Sequence, residues 1–489
     1  MPDSMYKLDV NILSILTSFL HPREVKMLGH GSKRIHKQIT SFMTYSYNQH
    51  GDDESYYKIR QSKWIVYECN ELILQDCMSK KLILTRIFFC NPFYQSIGTL
   101  SDCTHLQQIT FGLMFNQPIE PLSHCTNLQQ IAFGGYFNQP VEPLSHCTNL
   151  RQITFGGVFN QSINALSHCA NLQQIIFGGY FNQPVDTLSH CTNLWQVTFG
   201  GFFNQSIEAL SHCTNLRQIT FGFDFSQPLE ALSHCTNLQQ ITFCNCSNFN
   251  LSIESISHCT NLRQIIFGYA FNQSIEALSN CTSLRQITFN DNFNQSIEAL
   301  SHCTNLQQIT FGREFNKSIE SLSHCTNLQQ IIFGFAGLFN QSIESLSYCT
   351  SLRHITFGLI FNQPIEALSH CTQLEQIIFC SYSCFNQPIE ALTHYTYLQK
   401  ITFGMHFNQS IEFLSNCSNL QQISVGWHFN QPIEALSNCM NLQQITFGAE
   451  FNQSIETLSH CINLQRIICS REFNRPMYGI DSRVSITYY

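Results

Sequence analysis

The residues with the clearest chemical potential are histidine–cysteine pairs that recur along the chain, as in His212-Cys213 and His302-Cys303. Imidazole and thiolate are common zinc ligands, and together they form the dyad of cysteine proteases. Zinc needs four ligands in a tetrahedron, whereas adjacent residues on a tight turn point to different sides, so each pair offers one inward ligand. A protease needs one distinct cysteine and one distinct histidine, but the chain supplies many equivalent copies. The pairs therefore predict neither a metal site nor a nucleophile.

The sequence lacks other catalytic signatures as well. Cys244-x-Cys246 has neither the usual zinc spacing nor a second pair nearby. The chain contains no phosphate-cradling glycine loop, no paired carboxylates and no serine elbow. We therefore expect a protein that is not an enzyme and that needs no cofactor and no metal.

A repeated unit organises most of the chain and would position all of these residues. Aligned on its first phenylalanine, the unit starts 18 times, with 14 intervals of 22 residues and three of 24. These starts are Phe93, Phe115, Phe137, Phe159, Phe181, Phe203, Phe225, Phe249, Phe271, Phe293, Phe315, Phe339, Phe361, Phe385, Phe407, Phe429, Phe451 and Phe473. A fixed period of this length indicates an array in which each unit contacts its neighbours only.

The end of each unit has the alternation of a short, half-buried strand. In Gln218-Ile219-Thr220-Phe221, Ile and Phe would point to one side while Gln and Thr point to the other. Stacked units would place these strands side by side in a parallel sheet. Equivalent residues of successive units would then form columns along the array.

The front half of each unit has a different period, because its apolar residues fall three apart. This spacing suits a 3₁₀ or irregular helical turn with one buried face: Ile207, Leu210, Cys213 and Leu216. The residue before Ile207 is Ser206, which can cap a helical turn, and Pro184 one unit earlier suits the first position of such a turn. Glu208 would then lie near the positive end of the turn.

Composition restricts the possible partners and the compartment. The net charge is −8 without a basic block, and no apolar run approaches 18 residues, so we expect neither a nucleic-acid partner nor a membrane span. Sixteen of the 24 cysteines occupy one column, from Cys103 to Cys461, with Tyr395 in the remaining slot. We interpret them as reduced, buried, small apolar residues, which indicates an intracellular protein, cytoplasmic or nuclear. Glycosylation acceptors such as Asn160 would lie in a packed ladder without room for a glycan.

Two further columns suggest structural roles. The asparagine column, from Asn116 to Asn474 with Ser226 as a break, would hydrogen-bond the backbone of the bend in unit after unit. The two phenylalanine columns would form a stacked aromatic core. A glutamate column that contains Glu208 would either keep the protein soluble or bind a basic partner, and both alternatives remain open.

The outward face of the strands is the expected binding surface, the concave face of a repeat array. Its uniform glutamine and threonine residues are partly structural, since glutamine amides can bond their neighbours. Residues that depart from uniformity are more informative, because a binding surface needs differences. The predicted target-binding residues are Gln108, Gln152, Ile176, Trp195, Gln218, Ile266, Ile332, His354, Glu375 and Lys400.

The pattern Leu216-x-x-Ile219-x-Phe221-x-x-x-Phe225 resembles the leucine-rich repeat and, more closely, the 22-residue FNIP repeat. The resemblance covers residues 82–478. It implies an α/β repeat solenoid, a leucine-rich-repeat-like parallel-sheet superhelix of about 18 units. Residues 479–489 would form a C-terminal cap that ends in one last strand, Val484 to Tyr488.

The spacing of apolar residues in 1–45 predicts three short helices, which are too few to form a large core of their own. The spacing from Leu8 through Pro22 to Ser32-Lys33-Arg34 resembles an F-box, although Asp9 stands where that family usually has proline. The resemblance implies contact with a Skp-type linker protein through Leu8, Ile12, Leu16, Leu20, Pro22 and Val25. Residues 46–81 would be a linker and an N-terminal cap for the array.

With both segments in one chain, the sequence resembles the F-box and FNIP-repeat proteins of giant DNA viruses, of the mimivirus type, and of social amoebae. They imply a substrate-recognition subunit of a cullin–RING ubiquitin ligase, in which the repeats bind a target protein that the sequence does not identify. The alternative is a non-catalytic scaffold whose N-terminal helices only cap the repeats.

Overall fold

The structure is a computed structural model that describes residues 44–45, 63–69, 71–79, 82–89, 93–244 and 248–489. The predicted F-box-like segment, with all six of its expected linker contacts, lies outside these residues apart from 44–45. The chain divides into two compact units, Met1–Leu216 and Arg217–Tyr489.

The first unit contains a parallel sheet in which neighbours along the chain pair in order, from β1 to β8. Its strands are β1 (Thr44–Tyr45), β2 (Lys63–Cys69), β3 (Ile83–Phe89), β4 (Gln108–Thr110), β5 (Gln130–Ala132), β6 (Gln152–Thr154), β7 (Gln174–Ile176) and β8 (Gln196–Thr198). Helix α1 spans Glu71–Ser79, and 3₁₀ helices span Gly98–Asp102, Glu120–His124, Glu142–His146, Asn164–His168, Asp186–His190 and Glu208–His212.

The second unit repeats the same arrangement, with parallel pairing in order from β9 to β21. Its strands are β9 (Gln218–Phe221), β10 (Gln240–Phe243), β11 (Gln264–Ile266), β12 (Gln286–Thr288), β13 (Gln308–Phe311), β14 (Gln330–Phe333), β15 (His354–Phe357), β16 (Gln376–Phe379), β17 (Lys400–Thr402), β18 (Gln422–Ser424), β19 (Gln444–Thr446), β20 (Arg466–Cys469) and β21 (Ser485–Tyr488). Its 3₁₀ helices are Glu230–His234, Glu254–His258, Glu276–Asn280, Glu298–His302, Glu320–His324, Glu344–Tyr348, Glu366–His370, Glu390–Leu392, Glu412–Asn416, Glu434–Asn438 and Glu456–His460.

The predicted strand and its facing are confirmed. In β9 the residues alternate between half-buried and buried, with Ile219 and Phe221 inside. Pairing brings equivalent positions into register, as in Gln286 opposite Gln308. Each sequence column therefore becomes a physical column within its unit. Residues 63–79, which we expected to be linker and cap, supply a strand and a helix ahead of the repeats, and the last strand predicted near Tyr488 is β21.

The predicted 3₁₀ turn is also confirmed, but it begins one residue later than its capping residues suggest. Helix Glu208–His212 has Ile207 at its N-cap, so Ser206 lies just outside the helix. Its hydroxyl still accepts a hydrogen bond from the N–H of Glu208, at 3.2 Å. Pro184 likewise precedes the cap residue Val185 and does not occupy the first helical position.

The core of each repeat combines stacked phenylalanine rings with a column of buried thiols. Phe267, directly after β11, and Phe271, which starts the next repeat, have ring centroids 4.0 Å apart. Phe271 and Phe293, the starts of successive repeats, have centroids 6.1 Å apart. The Sγ of Cys303 donates to the carbonyl oxygen of Leu278 in the preceding repeat, at 3.5 Å. The column cysteines are buried thiols, as predicted. Burial raises the pKa of Cys303 to about 12.

The one departure in this column shortens its own helix. Tyr395 occupies the cysteine slot, is almost fully buried, and donates its hydroxyl to the carbonyl oxygen of Leu368. The helix of that repeat, Glu390–Leu392, has three residues where its neighbours have five. The tyrosine and the shorter helix therefore occur in the same repeat.

The asparagine column makes the hydrogen bonds that we expected. The Oδ1 of Asn272 accepts from the backbone N–H of Asn294 at 2.9 Å and from the Nε2 of Gln295 at 3.1 Å. The expectation that this column is packed away from solvent is wrong for Asn160, which is exposed although its Oδ1 accepts from Asn182. The predicted steric exclusion of a glycan therefore fails at Asn160.

Candidate interaction surface

The outward side of the strands forms a continuous surface within each unit, called the strand face below. Three positions of every repeat contribute: the residue before the strand and the first and third residues of the strand, such as Arg285, Gln286 and Thr288. The second strand residue, Ile287, points into the core. Neighbouring strands lie about 4.8 Å apart, so successive repeats place these three positions in closely spaced columns.

Glutamine side chains bond one another along this face. The Nε2 of Gln264 donates to the Oε1 of Gln286 at 2.9 Å, and Gln174 makes the same bond to Gln196 at 2.8 Å. These contacts support the partly structural role expected for the uniform glutamines. An amide held by its neighbour has fewer groups left to offer a ligand.

The predicted target-binding residues of the first unit lie on its strand face. Gln108, Gln152 and Ile176 lie on β4, β6 and β7. Trp195 precedes β8, and its backbone N–H donates to the carbonyl oxygen of Gln173 at 2.9 Å. All four side chains are half-buried. Ile176 and Trp195 are apolar residues on a surface made mostly of polar side chains.

In the second unit, four predicted residues come together on four consecutive strands. Register places His354 beside Gln376 and Gln376 beside Lys400, so one residue separates His354 from Lys400. Ile332 pairs with Thr356 in the neighbouring column. Glu375 precedes β16, between them. Gln218 and Ile266, on β9 and β11, lie further along the face.

An ion-pair cluster occupies the centre of this group. The Nη1 of Arg353 lies 2.7 Å from the Oε1 of Glu375, and the Nε2 of His354 lies 3.9 Å from the other carboxylate oxygen. The side chain of Arg353 is about half exposed, at 51%, and that of Glu375 is 26% exposed. A partly solvated pair of this kind contributes little to stability, about 1 kcal/mol or less. It is therefore open to exchange with an external carboxylate.

A shallow depression of about 330 Å³ adjoins the cluster. Its lining combines amides, a guanidinium and an imidazole with aliphatic side chains: Gln308, Gln329, Gln330, Arg353, His354, Ile355, Thr356, Gln376 and Ile378. Such a mixture suits a polar chain with a backbone to hydrogen-bond better than it suits an apolar ligand.

Charge is segregated between the two sides of the second unit. The glutamate column opens each 3₁₀ helix, and within residues 217–489 it contains eleven exposed carboxylates, from Glu230 to Glu456. No ion pair in the described part of the chain involves this column. The strand face from β11 to β17 instead has Arg263, Arg285, Arg353 and Lys400, with Glu375 as its one acidic residue.

Sequence reasoning missed the arginines of this surface. Arg263, Arg285 and Arg353 each come directly before a strand, in a column where other repeats have glutamine. The signal was available as Leu-Arg-Gln in place of Leu-Gln-Gln. The prediction included Trp195 and Glu375 from this same column but gave no weight to an arginine in place of a glutamine.

The described residues offer little to a metal ion. No group of three or more histidine, cysteine or acidic side chains in the described ranges could hold one. Cys213 is buried while the adjacent His212 is exposed, so the two point to opposite sides as the sequence predicts. Within the same ranges, no helix is long and apolar enough to cross a membrane.

Comparisons with known proteins place the fold among leucine-rich-repeat structures. No family model and no curated protein matches the sequence. Among solved structures, the chain is similar to CroV588, described as a novel circular LRR protein, at 26% identity and a TM-score of 0.62 over 92% of this chain and 70% of that one. The LRR protein LIC12759 of Leptospira interrogans matches at 10% identity and a TM-score of 0.63, over 83% and 99% of the two chains.

A chain of the Toll–Spatzle complex of Drosophila also matches, at 12% identity and a TM-score of 0.55 over 89% of this chain and 67% of that one. These likenesses, together with the parallel strands and 3₁₀ helices, confirm the predicted leucine-rich-repeat-like fold. They identify fold, and the FNIP assignment rests on the sequence pattern alone.

Proposed function

We propose that the chain is a protein-interaction module that serves as a substrate-recognition subunit of a cullin–RING ubiquitin ligase. The main support is a cluster of charged and apolar residues on four consecutive strands, at positions where most repeats have glutamine or threonine. A uniform face would suffice for a structural array, whereas recognition needs local differences in charge and shape. Ile332, His354, Glu375 and Lys400 supply such differences side by side.

The second half of the proposal comes from the sequence of residues 1–45. Their resemblance to an F-box implies docking on a Skp-type linker through Leu8, Ile12, Leu16, Leu20, Pro22 and Val25. The repeats would hold the target while the partner enzymes perform ubiquitin transfer, so this chain would contribute proximity and no chemistry of its own. Such a role belongs in the cytoplasm or nucleus, where thiols stay reduced.

One feature of the first unit favours this role over that of a plain cap. Strand β2 and helix α1 already precede the first repeat, and Leu74 and Cys77 of α1 are buried. The near end of the array therefore already has β1, β2 and α1 as covering elements before residues 1–43 are considered. If residues 1–43 form the predicted helices, those helices are not needed to cover this end, and their apolar residues can serve a partner.

The test is a pull-down of the host's Skp-type linker with the full-length chain and with a Leu16→Asp, Leu20→Asp double variant. We expect the wild type to bind and the double variant to lose at least about tenfold in affinity, because two apolar residues of the predicted linker contact become charged. A matched control is Ile462→Asp, since Ile462 is exposed at the far end of the chain. It should bind the linker as the wild type does.

Circular dichroism must show all three proteins folded for the comparison to count. If a folded wild type fails to bind, the ligase role is rejected, and the scaffold alternative, with residues 1–45 as an additional cap, becomes the better account.

A further inference from the structure

We propose that the strand face between β11 and β17 binds an acidic, extended segment of a partner polypeptide. The inference rests on the proposed interaction function and names the chemistry of the partner. The proposal is supported by a series of cationic side chains across seven strands, with glutamines and one carboxylate between them.

The charge of this surface is opposite to that of the whole chain. Four cations, Arg263, Arg285, Arg353 and Lys400, face one anion, Glu375, so the formal charge is 4 − 1 = +3 with histidine neutral. The chain as a whole has a net charge of −8. Three of the cations, Arg263, Arg285 and Lys400, have no ion pair within the described part of the chain. Complementary charge steers and orients a partner, so an acidic ligand fits here and a basic ligand does not.

The spacing of the cations suits an extended chain laid across the strands. Six steps of about 4.8 Å separate β11 from β17, which gives about 29 Å. An extended polypeptide advances about 3.3 Å per residue, so about nine residues span the surface. Arg285 and Arg353 lie three strands apart, which corresponds to acidic residues about four positions apart in the ligand.

The depression beside Arg353 can hold the ligand backbone between these charges. Gln308, Gln330 and Gln376 line it and present both donors and acceptors. The volume of about 330 Å³ suits a short stretch of chain. Ile332 and Ile378, which flank the polar columns, give the ligand an apolar side to rest on.

Glu375 acts as an internal competitor in this arrangement. Its carboxylate already occupies Arg353, at 2.7 Å, in the position that a ligand carboxylate would take. Removal of its charge should therefore strengthen binding of an acidic ligand, in contrast to the usual effect of altering a binding residue. This opposite sign distinguishes the proposal from a general loss of structure.

The observations favour a polypeptide over a nucleic acid. The eleven carboxylates of the glutamate column lie in the same unit and repel a long polyanion. Single-stranded nucleic acids also need aromatic side chains for base stacking, and the three strand-face columns from β11 to β17 contain none besides His354.

The experiment measures the fluorescence anisotropy of a labelled peptide of alternating glutamate and alanine against the folded, full-length chain. A peptide of alternating lysine and alanine and a single-stranded oligonucleotide serve as the comparison probes. We expect the acidic peptide to bind, with an affinity that falls as salt is added. Arg353→Gln and Arg285→Gln should each weaken it about threefold to tenfold, and Glu375→Gln should strengthen it by a similar factor.

Two variants control for the change in net charge alone. Arg313→Gln removes a cation that pairs with Glu314 in the turn after β13, away from the strand face. Glu366→Gln removes a member of the glutamate column on the opposite side. Neither should change the affinity by more than about twofold, because exposed charges at that distance are screened.

The proposal fails if the acidic peptide does not bind, if the control variants change its affinity as much as the strand-face variants do, or if Glu375→Gln weakens binding. Tighter binding of the oligonucleotide would assign the surface to nucleic acid and also overturn it. Linker pull-down on the same preparations separates this failure from that of the ligase role. Retained linker binding without peptide binding rejects only the acidic partner, whereas peptide binding without linker binding rejects only the ligase role.

Discussion

At the scale of single residues, the side chain at a given position of the repeat makes the same contacts in almost every copy. The asparagine column shows both what sequence reasoning reaches and where it stops. That these side chains hydrogen-bond the next repeat follows from their regular recurrence in a bend. Their exposure to solvent does not follow from that recurrence. The side-chain oxygen of an asparagine can accept a hydrogen bond from a neighbour while the rest of the side chain faces water. Asn160 does both.

Replacement of Asn272 by alanine removes an acceptor that serves two donors, the N–H of Asn294 and the Nε2 of Gln295. We expect a loss of about 1–3 kcal/mol in unfolding free energy, since the N–H of Asn294 is partly buried and would lack its partner. Asn272→Asp retains the oxygen and should keep most of that stability. Urea denaturation of both variants checks this, and an equal loss in the two would show that the oxygen does not matter.

The strand face illustrates the same limit for the candidate site. Alternation identifies Gln264, His354 and Lys400 as outward, because each lies within a strand. It does not fix the direction of the residue before the strand, which depends on how the turn enters the strand; from that column the sequence prediction took Trp195 and Glu375 but not Arg353. The ion pair between Arg353 and Glu375 joins two repeats through positions 22 residues apart, and only the parallel register brings them together.

At the scale of elements, the strand and the 3₁₀ helix both follow from the spacing of apolar residues. The two periods differ, and in each segment the apolar residues form one buried side. The sequence determines the first residue of the helix less well. A serine oxygen can bond the N–H two residues ahead whether or not the serine itself is the cap residue, so Ser206 marks the region of the start and not its position.

Where the turn after a strand begins with glycine, the stacked structure reveals a steric requirement at that position. In Gly178-Gly179, a Cβ added to Gly178 would lie 2.0 Å from the carbonyl oxygen of Gly156 in the preceding repeat, whereas one on Gly179 would meet nothing nearer than 3.8 Å. Successive turns therefore approach each other backbone to backbone at the first glycine. Neither residue needs a left-handed conformation, so the constraint is contact with the neighbour.

Gly178→Ala and Gly179→Ala are a matched pair in one turn. We expect Gly178→Ala to destabilise the first unit by about 1–3 kcal/mol or more, because the backbone of two turns must separate to admit the methyl group. Gly179→Ala should change stability by less than about 1 kcal/mol. Thermal unfolding of the two proteins decides the matter. Equal melting temperatures would show that the stacked turns can move apart freely.

At the scale of the whole molecule, the same small energetic preference recurs in every repeat, so its contributions to stability add up. Repetition also means that the sequence does not indicate where the chain divides into two units. The boundary between Leu216 and Arg217 falls inside a repeat whose residues match those of its neighbours, so no change of composition indicates it. By contrast, the buried thiol column was predictable, because a cysteine that recurs in the three-residue apolar spacing, as Cys213 does directly after its helix, belongs to the core.

These thiols make the stability of the protein depend on pH in the alkaline range. Burial, with a smaller effect of neighbouring thiols, raises the pKa of Cys303 from 9.0 to about 12, and burial alone does the same for Cys417. A group whose pKa is higher in the folded protein contributes its stability fully below the unfolded value and loses it as pH rises toward the folded value. Each such thiol lowers the unfolding free energy by up to about 1.4 kcal/mol per pH unit between these two values. Because many thiols in each unit share this shift, their effects add.

We therefore expect the urea midpoint to be nearly constant from about pH 7 to 8 and to fall steeply above about pH 9. Thiolate absorbance should appear together with loss of the circular dichroism signal, since the thiols ionise only when they reach water. Cys303→Ala provides the control: it removes one titrating group and should make the decline slightly shallower, although it lowers stability at neutral pH by opening a small cavity. Thiolate formation centred near pH 9 in a protein that keeps its native signal would contradict the prediction and mean that solvent reaches the cysteine column in the folded state.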